Sequence, residues 1–142
     1  WVLALDLLEQ RMVVPEQVLA ETHRVLRSGG RLLVRVPAHP RLYGPHDIFW
    51  GGGRRFRRAE LIRIVQAAGF AVERVSYANS LLVLPAVIQR LLARATGRGA
   101  DDMKPVPAAL NRLLFATLAL EARWLRRHKM PVGVSLLCLA TA

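Results

Sequence analysis

The passage from Pro15 to Pro37 constrains the fold most, because it carries every signal of one helix feeding one buried strand. Pro15 stands where a helix begins, at the position where a missing N–H costs nothing, and Glu16 and Glu21 favour its N-terminal side. Val18, Leu19, Val25 and Leu26 recur on one face, with Thr22 between them. Arg24 and Arg27 complement the C-terminal end, and Gly29-Gly30 provides a left-handed stop. The run from Leu32 to Val36 then reads as a strand, closed by Pro37. Its Leu/Val-rich character suits a sheet buried on both faces.

The same alternation runs through the rest of the chain. Trp1 to Leu5 is a short apolar strand ended by Asp6. Residues 38–53 form a loop with prolines, glycines, two histidines and aromatics, and loops of that length in compact domains usually carry function. A helix over residues 58–68 turns Leu61, Ile62, Val65 and Ala68 inward and stops at Gly69, and residues 70–77 form the next strand. Strand, helix, strand, helix, strand indicates an α/β fold with parallel neighbours. Beyond it lie a helical candidate at 81–95, a linker at 96–107 and an amphipathic helix at 108–127. The stripe Leu110, Leu113, Leu114, Leu118 and Leu125 on that helix is expected to face a core. Residues 132–141 form a last strand.

Composition narrows the function classes. Apolar residues make up 53% of the 142-residue chain and charged residues 22%, which excludes disorder. The single cysteine, Cys138, rules out disulfide frameworks and cysteine zinc sites within the chain, and its apolar surroundings give it the role of a small hydrophobe. His23 and His39 have no partner at ligand spacing, so no metal is assigned. The net charge of +11 is almost all arginine and spread along the chain, without a recognition motif; it argues against a dedicated nucleic-acid surface. No apolar run approaches the ~20 residues of a spanning helix. The expected location is cytoplasmic, with peripheral contact to a membrane surface through the helices after residue 81.

Three segments together resemble a known family. Asp6-Leu7-Leu8-Glu9-Gln10 is similar to the D-x-L-E-H segment that follows the fourth strand of class I S-adenosylmethionine-dependent methyltransferases. The passage from Glu21 to Val34 resembles their E-x-x-R-V-L-K/R-P-G-G-x-L-x-V crossover from helix to fifth strand. Pro37-Ala38, His46-Asp47, Gly51 and Arg54-Arg55-Phe56 resemble the V-P-A … H-D … G-H-x-R-R-Y loop of a subgroup, and Ala67-Ala68-Gly69-Phe70 and the segment from Pro131 to Leu137 fit it too. The resemblance covers almost the whole chain, and its order and spacing are more specific than any one piece.

The resemblance implies the C-terminal half of a Rossmann-like methyltransferase sheet, with parallel strands, a last antiparallel strand and helices on both faces. The domain would be a single partial one over residues 1–142: strand–helix units to residue 78, a helical insertion over 79–130 and a final strand over 131–142. It further implies that Asp6, Leu7 and Leu8 contact the cofactor, S-adenosyl-L-methionine. Glu9, Gln10, Asp47, Arg54, Arg55 and Phe56 would line a small-molecule or lipophilic acceptor, and His46 would take or orient a proton. Chemically, an acid at a strand's carboxyl end can face a cationic cofactor, and paired arginines suit an anionic group. Read as residues alone, Asp6 and Glu9 can equally begin a helix, Asp47 can form a turn, His46 can be an ordinary loop histidine and the Arg54–Arg58 run can be a solvated face.

Departures from the family pattern shape the expectation. Gln10 and Gly52 stand where histidines are usual, Ile48 replaces a polar residue, Phe56 replaces Tyr and Arg57 replaces a helix-capping hydroxyl. The family's glycine-rich cofactor turn and its ribose-binding acid are not in the sequence. Gly51-Gly52-Gly53 follows a loop and Gly97-Arg98-Gly99 lies in a linker, so neither has the strand–turn–helix context of a cofactor loop. The implied partner is therefore the N-terminal half of the domain, and the chain alone is expected to hold the cofactor weakly. The alternative reading is a non-catalytic basic α/β module that binds nucleic acid, a membrane surface or a partner chain.

Overall fold

The computed structural model describes residues 1–83, 87, 88 and 107–142. Their elements are β1 (Val2–Leu5), α1 (Pro15–Val25), β2 (Arg31–Pro37), α2 (Pro45–Phe49), α3 (Arg58–Ala67), β3 (Ala71–Ala78), α4 (Ala108–Leu125) and β4 (Ser135–Thr141), with single 3-10 turns at Pro40–Leu42 and Ser80–Leu82. The helix read at 81–95 and the linker at 96–107 fall largely outside the described residues.

The four strands form one sheet in the order β1-β2-β4-β3. β1 and β2 are parallel. β4 runs antiparallel to both β2 and β3, as the family resemblance implied, so β1, β2 and β3 all present their carboxyl ends to the same side. That common end gathers the segments after each strand: the turn at Asp6–Gln10, the long loop from Ala38 and the 3-10 turn from Ser80.

The core lies on one face of the sheet. Leu32, Val34 and Val36 of β2 pair in register with Ala140, Cys138 and Leu136 of β4, and all six side chains are buried. They pack with Leu19 of α1 and with Leu61, Ile64 and Val65 of α3. This is the alternation expected of strands with one face against helices. Burial pushes the Cys138 thiol up to about 11, which fits an inert core residue. On the opposite face Leu33, Leu137 and Leu139 are only half-buried, so burial on both faces, read from the Leu/Val-rich strand, overstates it. Arg74 reaches across that face and donates to the carbonyls of Arg126 and His128, which ties the end of α4 to β3.

Three local expectations are corrected. α1 ends at Val25, because Leu26 turns extended, and Val25 is exposed; Gly29, at φ 76°, shapes the turn into β2 instead. Residues 38–53 are no featureless loop: Pro45 opens the five-residue α2, and Asp47 accepts the Gly44 N–H at 2.9 Å. The leucine stripe of α4 is mostly not core. Leu110 and Leu113 are exposed, and the one residue buried in this helix is Glu121. No described helix is long and apolar enough to cross a membrane.

Candidate functional site

Asp6 closes β1 in a left-handed conformation (φ 52°) that few residues other than glycine adopt. Three bonds to Arg35 hold it there. Its N–H donates to the carbonyl of Arg35 at 3.0 Å, and its carboxylate takes a bidentate ion pair from the Arg35 guanidinium. Gln10 then donates to the Asp6 carbonyl at 3.2 Å, so residues 6–10 form a compact turn. Within it Leu8 is fully buried in the core, whereas Leu7 is exposed. Of the three residues read as cofactor contacts, Asp6 and Leu7 lie at the surface of the strand end and Leu8 supports them from below.

This turn and the loop after β2 are one unit. The Gly53 N–H donates to the Glu9 carbonyl at 2.7 Å, the Arg11 N–H to the Gly51 carbonyl at 3.1 Å, and Gln10 and Gly52 form an antiparallel bridge. The glycines are required by that closeness. A Cβ on Gly52 would sit 2.9 Å from the Asp47 carbonyl, and Gly51 has φ 76°. All three glycine N–H groups donate to backbone carbonyls, of Ile48, Asp47 and Glu9, so this triplet is a packing device and not an anion-binding loop.

Behind it lies a buried ion pair. Arg55 donates from Nε to Asp47 Oδ1 at 2.9 Å and from a terminal nitrogen to the Ala38 carbonyl at 3.1 Å. Both side chains are more than nine-tenths buried. Phe56 is fully buried beside them and bridges Ala38. Arg54 pairs with Glu60. Each arginine read as an anion holder thus has a carboxylate partner within the chain. His46 is exposed on α2, in edge contact with Trp50.

Glu9 is the unusual group. It is buried, and one carboxylate oxygen, Oε2, finds no hydrogen-bond partner among the described residues. Burial raises its pKa above the ordinary value, opposed by a hydrogen bond to its own backbone and reinforced by the charge of Asp6. A carboxyl with a raised folded-state pKa favours the native state at low pH, and that advantage is lost as pH rises through the raised value. Glu9→Gln is therefore expected to raise the urea midpoint at pH 7 and to change it little near pH 4. A difference that stays constant over that range would rule out the protonation account.

Sequence reasoning missed three residues that the fold makes prominent. Glu121 accepts the backbone N–H groups of Asn79, Ser80 (2.8 Å) and Leu81 (3.4 Å). A signal for it existed: Glu121 continues the stripe of Leu114 and Leu118 at helical spacing, and an acid on an apolar stripe needs a partner. His39 and Tyr77 stack with centroids 5.3 Å apart and planes 6° from parallel, a pairing of residues distant in sequence that periodicity does not reveal. Among the described residues no group of three or more His, Cys, Asp or Glu is placed to hold a metal.

Two solved structures are similar to this chain in fold. The crystal structure of the (4+2)-cyclase SpnF gives a TM-score of 0.52 at 23% identity, over 98% of this chain and 47% of that one. The Haemonchus contortus phosphoethanolamine N-methyltransferase 2, in complex with S-adenosyl-L-methionine, gives 0.50 at 11% identity, over 99% of this chain and 32% of that one. The fold is methyltransferase-like. The chain spans 47% and 32% of the lengths of these two relatives. No family model matches the sequence, and no curated protein does. Within the methyltransferase-like fold, the acidic turn and the glycine-tied loop occupy the carboxyl ends of adjacent parallel strands, where open α/β sheets bind their ligands.

Proposed function

We propose that this chain is the acceptor-side half of an S-adenosyl-L-methionine-dependent methyltransferase acting on a small or lipophilic molecule. The observation that carries the reading is the buried carboxylate oxygen of Glu9, orphaned at the carboxyl end of β1 in a methyltransferase-like sheet. An orphaned acidic oxygen fits a cationic cofactor, since a buried charge calls for an opposite one. Asp6, Leu7 and Glu9 would hold that side of the cofactor. When bound, the cofactor supplies an electrophilic methyl group on a sulfonium.

The chain's own residues do the rest by positioning. Arg35 fixes the Asp6 carboxylate, the Gly51–Gly53 backbone locks the turn, and the buried Asp47–Arg55 pair holds the long loop in place. Pre-set geometry of that kind is what an in-line displacement needs most. Gln10 in place of a histidine, and His46 turned to the surface, leave little acid–base equipment, which suits an acceptor that is already nucleophilic.

A second reading has a specific observation behind it: a relative matching over almost the whole chain is a cyclase. One experiment separates the two. The gene product that contains this chain together with its upstream sequence is titrated with S-adenosyl-L-methionine and assayed for S-adenosylhomocysteine in the presence of cell-extracted small molecules. Methyl transfer requires micromolar binding and release of that product; a cyclase, or a non-catalytic basic module, releases none. The 142-residue chain alone is expected to show no saturable binding by calorimetry, and micromolar affinity there would overturn the division into halves.

A further inference from the structure

A cleft of about 600 Å³ opens between the carboxyl ends of β2 and β3. None of the acceptor contacts read from the sequence lines it except Phe56. Its volume lies within the roughly 300–1,000 Å³ of small-molecule sites. Its walls divide by chemistry. Val83, Val87 and Val132 supply apolar lining, while Arg57 and Arg58, beside Arg41, supply cationic lining, both exposed and without an ion pair among the described residues. No acidic residue is among its described lining.

The stacked rings of His39 and Tyr77 form a plate in its lining. His39 holds a strained backbone, φ 60° and ψ 91°, that bonds on both sides enforce: its N–H donates to the Phe56 carbonyl at 3.1 Å, and its carbonyl accepts from Leu42 at 2.8 Å. Strain of this kind persists where surrounding structure over-determines it, and it clusters at ligand sites. The Nε2 atom of His39 is buried and has no hydrogen-bond partner among the described residues.

We infer that this cleft binds an amphiphilic anion, with its apolar body on the valine wall and His39–Tyr77 plate and its carboxylate or phosphate head at Arg57 and Arg58. Calling that occupant the methyl acceptor rests on the function proposed above; the binding site itself does not. Arginine forks suit both head groups, which differ only in the number of oxygens offered.

Calorimetric titration of the chain with decanoate, decyl phosphate, decanol and inorganic phosphate tests the assignment. At least one of the two anionic amphiphiles should bind saturably and at least about tenfold more tightly than decanol, the size expected of one charge-assisted contact. The Arg57→Gln/Arg58→Gln variant, with an unchanged melting temperature, should erase that preference while keeping decanol binding. Equal affinity for decanoate, decyl phosphate and decanol would overturn the proposal. So would full anion binding by the arginine variant, or inorganic phosphate binding as tightly as decyl phosphate. None of these outcomes depends on S-adenosyl-L-methionine, so failure of the cofactor reading is told apart by its own titration.

Discussion

Replacing Arg55 with methionine should cost about 3–5 kcal/mol of stability, the penalty of leaving one member of a buried ion pair without its partner. Asp47 would keep the Gly44 N–H but lose the guanidinium that neutralises it, at a side chain only 8% exposed. The Ala38 carbonyl would lose a donor at the same time. Urea denaturation of the chain measures the loss. The decisive comparison is the double variant Arg55→Met/Asp47→Leu, expected to recover to within about 1–2 kcal/mol of the parent, because removing both charges removes the desolvation cost with the attraction. A single variant that lost less than about 1 kcal/mol would mean that water reaches the pair.

Replacing Glu121 with alanine is the second large effect, expected at about 2–4 kcal/mol, since three part-buried N–H groups of one turn lose their shared acceptor and a buried donor left unsatisfied costs at most ~1–3 kcal/mol. The donors are Asn79, Ser80 and Leu81, directly after the carboxyl end of β3. Asn79 is itself left-handed (φ 56°) and also donates to the Ser135 hydroxyl, so the carboxylate pins a turn that the backbone alone does not favour. Amide hydrogen exchange at these three residues should accelerate before exchange in β2 or β4 does. Glu121→Gln, which retains one carbonyl oxygen, should fall between parent and alanine. Uniform acceleration across the sheet would show that Glu121 supports the whole domain and not this turn.

The order of elements was legible because it rests on local rules. Pro15, the glycines at 29 and 30, and the alternation in 32–36 each restrict the backbone within a few residues. The insertion of β4 between β2 and β3 was not readable from periodicity, since strand pairing is non-local; the resemblance implied only that the last strand runs antiparallel, not where in the sheet it lies. Side-chain direction was the hardest part. Arg54, Arg55, Arg57 and Arg58 look equivalent in the sequence, yet Arg55 is buried against Asp47, Arg54 reaches Glu60, and Arg57 and Arg58 line the cleft. One bridge, Ala38 to Phe56, fixes which of them turns inward, and a bridge is a tertiary fact. The α4 stripe failed for a related reason: its spacing identifies a face but not what that face meets.

The place of β4 has a consequence for how the molecule reaches this state. β4 is the last of the four strands in the chain but an inner one in the sheet, and β2 and β3 have no ladder with each other. Pairing Pro37 with Ser135 closes a loop of roughly a hundred residues before a single rung between them forms, and the entropy of such a closure must be met in advance of its reward. The β1–β2 pair, by contrast, is joined through one short crossover and can form early. Folding should therefore show a slow phase set by insertion of the final strand, as expected where long-range contacts dominate. Until that strand arrives, β2 and β3 each present an open flank, and the cleft between their ends does not yet exist.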